Sequence, residues 1–344
     1  MKSIWIGMLV LLLLSACGTA TQSTSQSSKS KENGTTPKKE KTVTVMLDWV
    51  PNTNHTGLYV AQQKGYFKDE GLNVKIVTPG KSSAVQVVGA GKAEFGISSE
   101  EYITQARATG VPVVSIAAIL QHNTSGFASP KSKQIARPKD FIGKTYGGWG
   151  TPMENAFIKT VMEADGVEVN QVEDKVNIVN IGEADFFTAT KRNIDFAWVY
   201  YGWTGIEAQL RDVQLNMIYL KDIAPVLDYY TPTIITSEAL IDEDPDTVKK
   251  FMRAVSKGYA YAIEHPDEAA DILIKATPES DEALIRASQK WMSQRYQADA
   301  EQWGYQKKKT WVDFTNWMYE HQLIEKKIDA TKAFTNEFLP EPAQ

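Results

Sequence analysis

The sequence predicts an α/β protein with two lobes of parallel-dominated sheet, flanked by helices, and a ligand cleft between them. Three observations carry that expectation. Short β-branched runs alternate with segments of helical apolar spacing, the order that parallel strands with crossover helices require. The order occurs twice, over residues 42–120 and again over 144–220. TPTIITS (231–237) then reads as a strand returning to the first layer, so the chain crosses between lobes near 121–129 and 225–233. The expected boundaries are 42–125 plus 232–344 for lobe I and 126–231 for lobe II.

Each element has its own signal. TVTVML (42–47) alternates and reads as a strand, and Thr56 to Phe67 places Leu58, Tyr59, Ala61 and Phe67 at helical spacing. NVKIV (73–77) is a strand, Ser82 to Gly89 begins a helix, and Phe95–Ile97 is a short strand. Glu100 to Thr109 is a helix stopped by Gly110, and VPVVSIAAIL (111–120) is a long buried strand. In the second run, strands are expected at 144–148, 175–181, 194–201 and 215–220. Helices are expected at Pro152 to Ala164, Glu183 to Lys191 and Trp203 to Leu210. The remainder reads as helical, with Trp311, Phe314, Met318 and Ile324 expected to pack on the first lobe. Strand C-terminal ends should face the cleft, where open α/β sheets bind ligands.

The N-terminal residues speak to location. Lys2 is the only charge before Cys17, and Ile4 to Leu14 is an apolar run too short to span a bilayer. Residues 1–16 are therefore expected to be a signal peptide. Leu14-Ser15-Ala16-Cys17 resembles the lipobox of bacterial lipoproteins, which implies lipidation of Cys17 and a place on the outer face of the cytoplasmic membrane. Cleavage after Ala16 as an ordinary secretory peptide is the plainer alternative. Residues 17–41 contain no aromatic or large aliphatic side chain and read as a tether. Cys17 is the sole cysteine, so an intramolecular disulfide and a cysteine metal site are both excluded. A net charge of −5 with no basic block argues against nucleic acid.

The corner LDWVPNTNHTGLYVAQQKGYF (47–67) gathers Asp48, Trp49, Asn52, Asn54 and His55. A turn needs polar residues and proline, but not an indole and an imidazole. Trp49 offers a stacking platform for a flat heteroaromatic, or else caps the core. Asn52 and Asn54 offer amide edges, though turns favour Asn for backbone reasons. His55 could contact a ligand or serve the start of the helix. Ser98, Ser99 and Glu100 follow a strand, where free N–H groups would suit a ligand acceptor, or where serine simply caps a helix. Gly147 to Thr151 form a strand-to-helix loop with Trp149 as an aromatic lid, and Glu154 sits in the first helical turn, favoured there by the dipole anyway. Tyr200 shares a strand face with Trp198. Glu207 comes one turn after Trp203, a spacing that puts ring and carboxylate on one face for an exocyclic amine, or leaves a solvated Glu. Asp242, Glu243, Asp244 and Asp246 read as a helix start, and no metal-binding spacing occurs.

The corner, GAGKAEFGISS (89–99) and GGWGTPMENAF (147–157) together resemble the thiamine-pyrimidine branch of type II solute-binding proteins of ABC importers. That resemblance covers about residues 43–340 and implies a periplasmic-binding-protein type II fold. It also implies a ligand such as formylaminopyrimidine, and an ABC permease with its ATPase as partners. The fungal pyrimidine-phosphate synthases share the fold, but their cysteine-rich iron segment and reactive lysine have no counterpart: DWVPNTN (48–54) holds no lysine. A binding role with no cofactor, neither pyridoxal phosphate nor iron, is therefore expected. A synthase-like enzyme, or a receptor for riboflavin or another organic solute, is the alternative.

Overall fold

The structure, a computed structural model, describes residues 40–182 and 184–341. The expected signal peptide, Cys17 and all but the last two residues of the expected tether lie outside the described residues. Lys41, placed in the tether by sequence, is the first residue of a strand, its N–H bonded to the carbonyl of Gly71 at 2.9 Å.

Ten strands are described: β1 Lys41–Met46, β2 Leu72–Val77, β3 Phe95–Ser98, β4 Val113–Ala118, β5 Ser125–Pro130, β6 Thr145–Gly148, β7 Asn177–Asn180, β8 Phe196–Tyr200, β9 Leu215–Tyr219 and β10 Thr233–Ser237. They form two five-stranded sheets, ordered β2-β1-β3-β10-β4 and β7-β6-β8-β5-β9. β1 runs parallel to β2 and β3, and β10 enters antiparallel between β3 and β4. In the second sheet β6 is parallel to β7 and β8, while β5 is antiparallel to β8 and β9. One reversed strand per sheet is the geometric result of the chain leaving the first sheet through β5 and returning through β10.

Sequence reasoning missed β5. SGFASP has small residues, no polar–apolar alternation and a proline, so it read as part of a crossing over 121–129. The strand is buried on both faces, which leaves no alternation to detect. The first crossing is correspondingly short, residues 119–124. It lies beside the return: the Ile119 N–H donates to the carbonyl of Pro232 at 2.9 Å, and Asn123 N–H to Asp228 Oδ1 at 2.8 Å.

The helix Pro245–Glu264 positions the opening corner. Asp244 caps it, its side chain accepting from Thr247 N–H, and its apolar stripe includes Val248, Phe251, Val255 and Tyr259. It crosses the helix Thr56–Gln63 at a glycine contact, where a Cβ on Gly258 would stand 2.1 Å from the carbonyl oxygen of Gly57. That approach lets Tyr259 Oη donate to the carbonyl of Asn54 at 2.6 Å, while Tyr296 Oη donates to that of Thr53 at 2.5 Å.

The C-terminal helix Lys308–Glu320 departs from expectation. Trp311 packs in a cluster with Val113 and Ile235 of the first sheet, as predicted. Phe314, Met318 and Ile324 instead join the core of the second, with Phe157 and Tyr229. Tyr229 stacks on Phe314 at 4.2 Å, and Phe157 on Trp317 at 5.5 Å. The helix has two apolar faces and sits across the junction, so it serves both lobes.

Candidate ligand-binding cleft

The sequence-derived residues converge at the C-terminal ends of β1, β3, β6 and β8, but they do not all do what their types suggested. Trp49 and Trp149, one from each lobe, are 54% and 48% exposed. An indole half in water is poorly placed for a core role and available to a ligand. Trp149 stands edge-on to Trp198 at 5.7 Å, and Trp198 neighbours Tyr200 at 5.7 Å, so the second lobe presents a run of three rings. Tyr201, the first residue after β8, turns away to Trp291.

His55 is fully buried, and both ring nitrogens are engaged. Nδ1 accepts the backbone N–H of Asn52 at 3.2 Å, which fixes the Nε2–H tautomer and makes Nε2 the donor to Asp48 Oδ1 at 2.8 Å. His55 therefore holds Asp48 in place, and neither ring nitrogen is left over. Asn52 is engaged likewise. Its Oδ1 accepts from Asn54 N–H and its Nδ2 donates to the carbonyl of Val50, both at 2.9 Å, so the amide closes the turn. These two residues complete a capping box, the helix-start alternative that the sequence left open for His55.

Glu154 is engaged within the protein as well. Buried to 1% exposure, it accepts from Tyr146 Oη at 2.6 Å, Trp149 N–H at 2.9 Å, and Thr151 N–H and Oγ1 at 2.8 and 3.0 Å. Those bonds use its acceptor capacity and hold the glycine loop that carries Trp149. Gly148 is required there, since a Cβ would lie 2.2 Å from Glu154 Oε1. Glu207 is paired with Arg211 one turn along its own helix. The expected shared face with Trp203 is broken because Tyr201–Gly205 is a π-helical turn, which rotates Trp203 out of register with Ile206–Leu210. Trp203 packs near Ala270 and Leu273, and with Tyr200, Asn52, Thr53 and Thr124 lines a small pocket between the lobes. Ser98 and Ser99 are buried, and Ser99 makes no side-chain cap bond. The Glu100 N–H expected to be free there donates to the carbonyl of Tyr230 at 2.9 Å.

Two side chains in this region, Glu101 and Trp198, were not singled out by sequence reasoning as ligand readers. Glu101 Oε2, the Tyr229 hydroxyl and the Trp198 indole N–H are buried and have no hydrogen-bond partner among the described residues. Trp198 and Tyr229 are linked through Phe157, whose ring lies 5.1 Å from Trp198 and 5.8 Å from Tyr229. Burial, foremost, pushes the Glu101 carboxyl up to about 7, against hydrogen bonding from Ser99, with the charge of Asp48 adding to the rise. Glu101 in turn adds to the burial that raises the phenols of Tyr200 and Tyr229. The signal for Glu101 was the adjacent pair Glu100-Glu101 at a helix start, which reads equally as dipole-stabilised surface charge. Burial rules out the surface reading for both, and each keeps one oxygen without a partner: Glu100 Oε2 accepts from Tyr230 N–H at 2.8 Å and leaves Oε1 over, while Glu101, bonded from Ser99, leaves Oε2.

The family model described as NMT1/THI5 like matches residues 52–269. A formylaminopyrimidine-binding protein of Halalkalibacterium halodurans is 28% identical over 96% of both chains. The riboflavin-binding protein RibY of Chloroflexus aurantiacus is 26% identical over 99% of this chain and 98% of its own. A 4-amino-5-hydroxymethyl-2-methylpyrimidine phosphate synthase of Legionella pneumophila is 25% identical over 87% and 92%. Among solved structures, the periplasmic aliphatic sulphonate binding protein SsuA of Escherichia coli superposes with a TM-score of 0.67, covering 88% of this chain and 95% of its own at 12% identity. That likeness establishes the periplasmic-binding-protein type II fold.

Proposed function

The chain belongs to the NMT1/THI5 like family, and on that premise we propose that it is an extracytoplasmic receptor for a thiamine pyrimidine precursor of the formylaminopyrimidine type, which it hands to an ABC importer. The observation that carries the reading is the pairing of two half-exposed indoles, Trp49 and Trp149, with buried unpartnered polar groups between the lobes. A flat heterocycle stacked on such rings gains ~1–3 kcal/mol per stack, and its polar edge supplies the bonds that Glu101, Tyr229 and Trp198 lack. Asp48, held by His55, is a further acceptor for an amine. Ser98 and Ser99 would contribute shape, and Tyr200 and Trp203 a wall. An anionic ligand is disfavoured, because the polar groups gathered here are carboxylates, hydroxyls and an indole.

A synthase-like activity is the weaker reading: the sole cysteine is Cys17, and residues 48–54 hold no lysine. A flavin receptor is the stronger rival, since a flavin is also planar and a riboflavin-binding relative aligns over nearly the whole chain. Titration calorimetry of the protein with formylaminopyrimidine and riboflavin separates them. Affinity for the pyrimidine in the micromolar range or tighter, about −8 kcal/mol, supports the proposal. No binding, or tighter binding of riboflavin, removes it. Anchoring through Cys17 is tested independently by labelling with radioactive palmitate: Cys17→Ser should abolish label and release the protein from membranes.

A further inference from the structure

We infer that Glu101 reads the ligand's heterocycle as a neutral carboxylic acid, donating to a ring nitrogen and accepting from the adjacent exocyclic amine, so that binding takes up one proton from solution. The inference rests on the proposed function and goes further, because it assigns the reading edge and makes recognition a protonation event.

The argument begins with complementarity. A 4-aminopyrimidine presents an acceptor, the ring nitrogen, beside a donor, the amine. A carboxylate offers two acceptors and can satisfy only the amine. A carboxylic acid offers one donor and one acceptor and satisfies both. Glu101 is 3% exposed, and its Oε2 has no partner among the described residues. Around it stand Ser99, Asp48, Glu100, Tyr102, Tyr200 and Tyr229, none of them cationic. Burial among neutral and acidic groups favours the uncharged acid, and stacking a neutral ring over it removes more water. The carboxyl, near 7 before the ligand arrives, is raised further when the acid is the form that binds. The balance is simple: one carboxylate, one proton from buffer and one neutral heterocycle give one hydrogen-bonded pair, with no covalent bond made or broken. A flavin's imide edge differs, since its N–H would donate to the carboxylate and no proton would be needed.

The test is calorimetric titration of the unmodified protein with formylaminopyrimidine, in two buffers of contrasting ionisation enthalpy, between about pH 7 and pH 8.5. Proton uptake should climb from about half a proton per ligand at pH 7 to nearly one at about pH 8.5, and affinity should fall towards tenfold per pH unit across the upper part of that range. Glu101→Gln, whose amide offers the same donor and acceptor as the acid, should bind within about threefold of the parent at pH 7, with no uptake and a flat pH profile. The parent's own pH profile keeps the test independent of that variant's folding. Binding without uptake overturns the inference and leaves the proposed function standing, as does undiminished uptake in Glu101→Gln. No binding of formylaminopyrimidine removes both.

Discussion

Residue identity and residue role part company most clearly at the corner of residues 48–55. Asp48 and His55 form one unit, in which the histidine is buried and bonded at both nitrogens and the carboxylate reaches the cleft. His55→Ala should therefore act on stability: it leaves the Asn52 N–H without a partner and opens a cavity, a loss of about 2–4 kcal/mol in urea unfolding. Asp48→Ala should weaken ligand binding and also cost about 1–3 kcal/mol, since it leaves the buried His55 Nε2–H without its acceptor. An unchanged unfolding midpoint in His55→Ala, with ligand binding lost, would place His55 in direct contact with the ligand. Trp49→Ala should weaken binding by roughly tenfold, the scale of one lost stack, with no change in melting temperature. Glu207→Gln, which the sequence pattern put alongside Trp49 in importance, should change affinity by less than about twofold, since it breaks an ion pair on its own helix rather than a ligand contact.

The loop from Gly148 to Thr151 and the helix Pro152–Ala164 behave as a single element because Glu154, in the first turn of the helix, accepts from the loop N–H groups of Trp149 and Thr151. Removing that carboxylate leaves the buried Tyr146 hydroxyl and the part-buried N–H groups of Trp149 and Thr151 without their acceptor. Glu154→Ala should cost about 2–4 kcal/mol of stability and also weaken ligand binding, because Trp149 loses its support. Loss of stability with ligand affinity intact would show that Trp149 contributes nothing to recognition. At the π-helical turn Tyr201–Gly205, Gly202 meets the lobe I helix Glu282–Tyr296, where a Cβ would stand 2.6 Å from Met292 Sδ and 3.1 Å from the Trp291 ring. Gly202→Val should hold the lobes apart and weaken binding at least about tenfold, with Met292→Ala in the same chain restoring part of it. An additive double variant would mean that this contact does not govern closure.

For the molecule as a whole, the buried carboxyls set the pH dependence of stability. Burial raises Glu101 to about 7 and pushes Glu100 well above its ordinary range. A carboxyl raised in the folded state keeps its proton where the unfolded chain has released it. Each therefore lowers stability as pH rises from about 4.5, by about 1.4 kcal/mol per pH unit until its folded value is passed. His122, raised chiefly by its hydrogen bond to Asp228 at the junction of the two crossings, acts in the same direction. It stabilises the fold while charged, and that contribution is lost as pH climbs through its raised value. Glu70, held low by Arg253, works the other way and loses its contribution as pH falls below its unfolded value. The ligand-free protein should accordingly resist urea better at about pH 5.5 than at about pH 7.5, and Glu101→Gln should shrink that difference. A higher midpoint at the alkaline end would contradict the neutral, buried state of these acids.

By itself the sequence determined the repeated strand–helix order, the return of β10 to the first sheet, the absence of cysteine chemistry in the folded part, and the corner from which the family likeness starts. Those features are written in local periodicity and composition, which survive without knowledge of the fold. It could not reveal β5, whose two buried faces erase alternation, or the second apolar face of the C-terminal helix. Nor could it rank the carboxylates. Glu101, Glu154 and Glu207 look alike along the chain, yet one is buried with an oxygen unpartnered, one is saturated by a loop and one is paired one turn along with Arg211. Which of these a glutamate becomes depends on what the other lobe and the neighbouring backbone bring to it, and tertiary packing alone decides that, because solvation and hydrogen-bond supply are properties of the assembled cleft.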